Sequence, residues 1–323
     1  MRYRKLGRTG IQVSEIGFGA WGIGGHLWQD SKDDESIQAL HSAIDLGINF
    51  IDTAAAYGEG HSEQLIAKVL KSHRDKRIYV ATKVNPKNYV WPAQKGSDVR
   101  DIFPAQYIIE RTERSLKNLG VERIDLQQLH VWNDEWVGAD EWRRAFERLR
   151  REGKVAHFGI SINDHEPENS LKMIDSGEIN TVQVIYNIFD QSPEKALFPK
   201  CQEENVGVIV RVPFDEGSLT GAITEETAFL PEDFRAQYFR GDRKKQVVER
   251  VQRLQALLNG EAKNLPELAL RFVLDHPAVS AVIPGMRKSS NVEANCAFSD
   301  GRRLSQGLKT KLKGHVWERN FYT

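Results

Sequence analysis

Four titratable side chains stand where they could act on one oxygen atom. Asp52, Lys83 and His130 each close a short apolar run, and Tyr57 follows Asp52 by five residues. A free phenol titrates near ~10 and is a poor acid at neutral pH. A neighbouring ammonium favours the phenolate and lowers that value. Lys83, salt-bridged to Asp52, is placed to do this, and Tyr57 would then deliver a proton to a developing alkoxide. A neutral His130 would donate a hydrogen bond to the same oxygen. The set suits polarising and protonating a carbonyl. A different use of Lys83, as the nucleophile of a Schiff-base lyase, needs a depressed ammonium pKa, which a carboxylate and a phenol so close oppose. The nine histidines form no His-x-His or His-Glu-x-x-His pair, and Cys201 and Cys296 lie in no Cys-x-x-Cys, so no metal site is expected.

The elements that would position these groups alternate. Short runs rich in β-branched residues occur eight times: Glu15–Gly19, Ile48–Asp52, Ile78–Lys83, Ile124–His130, His157–Ile160, Thr181–Ile185, Gly207–Arg211 and Val279–Ile283. Between them lie segments with helical spacing: Asp33–Leu46, Ser62–Leu70, Pro104–Leu119, Trp142–Arg151, Asp164–Ser176, Pro193–Glu204, Lys244–Leu258, Pro266–Leu274 and Ser289–Phe298. Strand and helix in such alternation predict an α/β fold of the (β/α)8 TIM-barrel type. An open doubly wound sheet would carry a Gly-x-Gly-x-x-Gly turn opening a helix. Here Trp21 follows the glycines in Gly17-Phe18-Gly19-Ala20-Trp21-Gly22, and the next helical pattern waits until Asp33. Carboxyl ends of neighbouring barrel strands meet on one rim, which brings the four groups together. A short hairpin precedes the barrel, and residues 1–323 read as a single domain. The segments 84–103 and 212–241 are longer than usual connections, follow strand carboxyl ends, and are expected to be binding loops.

Composition narrows the partners. Lys plus Arg and Asp plus Glu are 45 each, so the net charge is zero, which argues against nucleic acid or an anionic membrane surface. No apolar run approaches ~18 residues, the amino terminus lacks an apolar signal core, and two cysteines cannot build a disulfide framework. A cytoplasmic, reducing setting is the expectation.

These residues resemble the aldo-keto reductases along essentially the whole chain. The resemblance is carried by Leu6-Gly7-Arg8-Thr9-Gly10, Gly47-Ile48-Asn49-Phe50-Ile51-Asp52-Thr53-Ala54 with Tyr57-Gly58, Ala81-Thr82-Lys83, Asp125-Leu126-Gln127-Gln128-Leu129-His130, and Gly153-Lys154-Val155 leading to Gly159-Ile160-Ser161. It implies an NADPH-dependent carbonyl reductase acting on a small carbonyl or alcohol, with Asp52, Tyr57, Lys83 and His130 as its catalytic tetrad. It also implies a cofactor path. Gly19, Trp21 and Asp52 lie near its nicotinamide end, where Ser161 and Gln183 would hold the carboxamide. Ile162 replaces the family's asparagine there, with Asn163 one residue on. Arg211 stands where many members stack an aromatic ring. Pro213, Phe214, Gly217 and Leu219 belong to the pyrophosphate loop, and Gly285, Arg287, Asn291 and Asn295 to the adenosine end. Arg287 and Lys288 favour the 2′-phosphate of NADPH over NADH. Trp21, Trp28, Trp91 and Trp132 are expected to line the substrate pocket. A nicotinamide-nucleotide sensor without turnover is the alternative within the same resemblance.

Overall fold

The chain opens on a hairpin: β1 (Tyr3–Lys5) pairs antiparallel with β2 (Gln12–Ser14). The computed structural model describes residues 1–322 except 26, 29, 30 and 259. Then follow β3 (Phe18–Gly19), α1 (Asp33–Asp45), β4 (Phe50–Asp52), α2 (His61–Ser72), β5 (Tyr79–Val84), α3 (Val99–Ile102), α4 (Ala105–Leu119), β6 (Ile124–Leu129), α5 (Asp140–Arg151) and β7 (Val155–Ser161). The second half continues with α6 (Leu171–Asp175), β8 (Thr181–Ile185), α7 (Leu197–Glu203), β9 (Gly207–Arg211), α8 (Phe234–Tyr238), α9 (Arg243–Gln255), α10 (Leu265–Asp275), β10 (Val279–Val282), α11 (Ser289–Cys296) and α12 (Gln306–Lys313). Strands β3 to β10 form one eight-stranded parallel sheet in sequence order. Parallel bridges Ile16–Val282 and Gly19–Gly285 join its two ends, which closes it into the (β/α)8 barrel.

Local sequence explains the helices. In α5, Trp142, Ala145, Phe146 and Leu149 recur at three- and four-residue spacing and are buried, while Asp140 and Glu141 open the helix and Arg148, Arg150 and Arg151 close it. Both ends complement the helix dipole. The carboxyl end of α4 is stopped by Gly120, whose φ of 65° is left-handed and suits glycine.

Strand periodicity sets the layers inside the barrel. Phe50, Ala81, Leu126, Ile209 and Ala281 pack with Leu6 and Val13 of the hairpin into a small buried cluster of their own, so the hairpin plugs the barrel. Their strand neighbours Ile51, Val80, Val208, Val210 and Val282 belong to the larger core against the helices. Side chains two residues apart on a strand share a face. The residues two further along, Asp52, Lys83, Gln128 and Arg211, therefore form the layer above the apolar plug.

Some elements differ from the expectation. The helix expected at Asp164–Ser176 is confined to α6, because Pro167 and the turns around it occupy the first half. The segment expected as Pro193–Glu204 divides into a 3₁₀ turn at Ser192–Glu194 and α7. Both long connections carry helices of their own, α3 and α8.

Beyond α12 the tail returns over the mouth of the barrel. The Trp317 amide donates to the Phe189 carbonyl at 2.9 Å. Arg319 lies over the Trp317 ring at 4.2 Å and pairs with Asp215, their side chains only 6% and 2% exposed. Removing one partner of a buried pair strands the other charge, at about 3–5 kcal/mol. Arg319→Met is therefore expected to lower the melting temperature by several degrees; a thermal unfolding curve superimposing on the wild type would show that the pair contributes no stability.

Candidate active site

Lys83 organises the site. Its Nζ donates to Asp52 Oδ1 at 2.6 Å, to the Thr53 carbonyl at 2.8 Å and to the Tyr57 hydroxyl at 3.4 Å. An ammonium has three protons, and each has an acceptor. Lys83 is fully buried and Asp52 nearly so. Asp52 Oδ2 accepts from Gln183 Nε2 at 2.7 Å and from Gln128 Nε2 at 3.4 Å. His130 stands edge-on between two rings, 5.8 Å from Tyr57 and 5.9 Å from Trp91. Its Nδ1 is buried with no hydrogen-bond partner among the described residues.

The loop after β4 places Tyr57. The Tyr57 amide donates to the Ala54 carbonyl at 3.0 Å, and the Ser62 amide donates to the Tyr57 carbonyl at 3.2 Å. A turn at Gly22–Gly24 presses on this loop. A Cβ on Gly24 would lie 2.9 Å from the Tyr57 carbonyl carbon, and one on Gly58 only 2.1 Å from the Gly24 carbonyl oxygen. Glycine at both positions lets the two backbones meet. Ser62 Oγ, 2.9 Å from Thr53 Oγ1 and donating to the Ala20 carbonyl at 3.1 Å, ties the start of α2 to the same corner.

Burial decides the protonation states. Burial disfavours the phenolate of Tyr57 more strongly than the attraction of Lys83 favours it, with Asp52 adding to the rise, so the phenol titrates above its ordinary value. The sequence pointed the other way because it revealed the neighbouring ammonium but not the depth of burial. Burial works against the Lys83 ammonium as well, yet Asp52 and Tyr57 outweigh it and the group is raised. His130 is held well below its ordinary range, first by burial and then by Lys83 and Arg211. At neutral pH the site thus holds a phenol, an ammonium and a neutral imidazole. With every Lys83 proton engaged, the lone pair that a Schiff-base nucleophile needs is not on offer.

The model of the Aldo/keto reductase family matches residues 15–309. The chain belongs to this family. It is 32% identical over 299 residues to aldo-keto reductase YhdN of Bacillus subtilis (strain 168), covering 91% of this chain and 87% of that one. It is 29% identical over 312 residues to the NADH-specific methylglyoxal reductase of Escherichia coli (strain K12), covering 92% and 93%. The structure of the glycerol dehydrogenase AKR11B4 from Gluconobacter oxydans superimposes with a TM-score of 0.79 at 28% identity, over 97% of this chain and 94% of that one. This aldo-keto reductase is accordingly an oxidoreductase that works with a nicotinamide cofactor.

On the cofactor side, Ser161 ends β7 level with Gln183. The Gln183 amide nitrogen is engaged by Asp52. Asn163 is committed elsewhere: its amide exchanges hydrogen bonds of 3.1 and 3.2 Å with the Ala93 backbone and so fastens the 84–103 loop. Arg211 donates to the Ile162 carbonyl at 3.0 Å and to Asp164 at 2.7 Å, which offsets its charge, while its Nε is buried without a partner among the described residues. Pro213 and Leu219 are buried, and Phe214, Glu216 and Gly217 are partly so. Gly19 takes no side chain, since a Cβ would lie 2.5 Å from the Ile283 carbonyl oxygen. Gly285 is exposed, and Arg287 lies over the Trp28 ring at 5.3 Å. On α11, Asn295 is buried and Asn291 exposed. The donors suit a nicotinamide dinucleotide: Arg211 Nε and Ser218 Oγ are buried polar atoms lacking partners among the described residues.

The four tryptophans expected at the pocket are placed differently from one another. Trp21 stacks toward Tyr57 at 6.3 Å and meets Trp28 at 5.2 Å, and Trp91 faces His130. Trp132 is the correction. It is fully buried, its rings pack on Trp136 and Trp142, and its Nε1 donates to Asp134 at 2.9 Å, so it belongs to the core behind the rim. Sequence reasoning missed Phe234, 4.9 Å from Trp21; the tail aromatic Tyr322 lies 6.1 Å from Phe234. That reasoning also missed Gln128 and the His165–Asp190 pair at 2.6 Å.

Tyr322 donates to Glu216 at 2.7 Å. Burial pushes the Glu216 carboxyl up to about 7, Asp215 and Asp164 add to the rise, and Tyr322 and Arg211 oppose it. A carboxyl raised on folding contributes stability at acid pH that is lost as pH rises through its folded value. Melting temperatures of wild type and Glu216→Gln measured from pH 5 to 8 should therefore change relative to one another, the wild type losing ground as pH rises through about 7. A constant gap across that range would contradict a buried, protonated Glu216.

Proposed function

We propose that this enzyme interconverts a small carbonyl compound and its alcohol with NADPH, Tyr57 acting as the proton donor in reduction. The observation that carries this reading is the chain Asp52–Lys83–Tyr57, in which one buried ammonium touches both the carboxylate and the phenol. Tyr57 enters the reaction as a phenol because burial keeps its proton on. It surrenders that proton only when an alkoxide, a far stronger base than water, develops against its oxygen. Lys83 stabilises the phenolate left behind at short range in a dry site. The neutral His130 donates a hydrogen bond to the substrate oxygen without competing for the proton. Trp21 lies against Tyr57 and Trp91 against His130, and these faces suit a compact, largely apolar substrate body. When bound, the reduced nicotinamide supplies hydride to the carbonyl carbon.

Ser161, Gln183 and Arg211 would receive the nicotinamide end, the 213–221 turn the pyrophosphate, and the start of α11 the adenosine. Arg287 and Lys288 beside that helix start support NADPH, although a relative of similar identity is named for NADH. One relative is named for a reduction and another for an alcohol oxidation, which supports the same parts serving both directions.

Tyr57→Phe tests the assignment. NADPH binding, followed by fluorescence titration, should persist, while turnover with a panel of aldehydes falls about 10²–10⁴-fold. Full turnover in this variant would remove Tyr57 from the mechanism. Wild type that binds NADPH and oxidises it with no carbonyl would point to a sensor.

A further inference from the structure

Asp52 is the least exposed carboxylate that the tetrad depends on, and its two oxygens are held differently. Oδ1 takes the Lys83 ammonium at 2.6 Å. Oδ2 takes two neutral amides, Gln183 at 2.7 Å and Gln128 at 3.4 Å. A carboxylate this buried stays charged only if paired and hydrogen-bonded. An amide is suited to the second oxygen, since it donates at every pH and adds no charge of its own.

The barrel makes room for Gln128. In the sheet register it sits level with Lys83 on β5 and with Gly159 on β7. A Cβ on Gly159 would lie 2.2 Å from Thr181 Oγ1, 2.8 Å from the Thr181 carbonyl oxygen and 3.4 Å from Gln128 Cγ. The bare position on β7 is what leaves room for Gln128 and Thr181 on either side of it. Gln128 Oε1 has no hydrogen-bond partner among the described residues, so within the protein the amide is engaged through its nitrogen, toward Asp52. The residue stands two positions before His130 on the same strand, on the face that looks inward.

We propose that Gln128 is a positioning residue: with Gln183 it forms a two-amide clamp on Asp52 Oδ2 that keeps the carboxylate turned onto Lys83, and through Lys83 keeps Tyr57 in place. The inference rests on the reading of Tyr57 given above. Loss of the clamp favours the neutral carboxyl, which releases the ammonium from its partner and with it the phenol.

Gln128→Glu and Gln128→Met test this in the full-length enzyme. In Gln128→Glu two carboxyls share one site, and one of them must hold its proton to higher pH. The acid limb of kcat is expected to move up by about one pH unit or more, with kcat at neutral pH reduced about tenfold and KM for NADPH little changed. Gln128→Met should move the limb the same way by less. A merely structural role would scale kcat equally at all pH values, and a limb unmoved in both folded variants overturns the proposal. A readout free of turnover is the ¹³C titration of labelled aspartate carboxyls, with Asp52 identified by its loss in Asp52→Asn. Its midpoint is expected to rise in Gln128→Glu, and coincident midpoints overturn the clamp. A raised midpoint in a protein that reduces no carbonyl would uphold the clamp and sink the reductase reading. Failure of the near-isosteric Gln128→Glu to fold would assign the amide to stability alone and overturn the proposal.

Discussion

A lysine ammonium with no solvent exposure is the constraint around which this barrel is arranged. Taking two charges out of water costs several kcal/mol per ion, and their mutual attraction offsets that only when geometry is good and the remaining donors and acceptors are filled. Here the filling is complete on the lysine side: a carboxylate, a carbonyl and a phenol take its three protons. Replacing the pair with packed aliphatic side chains would serve stability at least as well. An ammonium fixed beside a phenol is what the proposed proton-donating site needs of the pair.

That requirement reaches back into the strands. Asp52, Lys83 and Gln128 share a layer only because the sheet register brings β4, β5 and β6 together with their inward positions in step. A slip of one residue would turn each of these groups outward into the helix-packed core and bring Ile51 or Thr82 inward. The apolar plug below is the counterweight. Phe50, Ala81 and Leu126 are buried against the hairpin two residues earlier on the same strands, so the register that hides them is the one that presents the tetrad. Fold and chemistry are fixed by one alternation.

This alternation is also why much of the site was legible in the sequence. Strand ends carrying Asp52, Lys83 and His130, and a tyrosine five residues past the first, are local features that survive without knowledge of tertiary packing. What was not legible depends on depth and on distant segments. The rise of the Tyr57 phenol follows from its burial beside residues such as Trp21, which no spacing reveals. Asn163 reads as a ligand of something until Ala93, seventy residues away, is seen to take its amide. Trp132 reads as a wall of the pocket until Asp134 and Trp142 draw it inward. Gln128 is given no role by the sequence, because a glutamine in an apolar strand acquires meaning only when its partner is known.

The part of the mouth furthest from the tetrad in sequence closes the rest. Val212, Asp215 and Glu216 all adopt left-handed φ values, 56°, 51° and 54°. For residues with a Cβ, and above all for a β-branched valine, such conformations cost of order 1–3 kcal/mol each and persist only where surroundings over-determine them. Asn187 donates to the Val212 carbonyl at 3.0 Å, Arg319 pairs with Asp215, and Tyr322 holds Glu216. Two of these three restraints come from the last few residues of the chain. The turn proposed to meet the pyrophosphate therefore owes its shape to the carboxyl-terminal tail, and the same tail carries Tyr322 against Phe234, which in turn packs on Trp21 beside Tyr57. The turn and wall proposed for cofactor and substrate are shaped by one segment, so divergence in that tail can change both without touching the barrel that holds the ammonium.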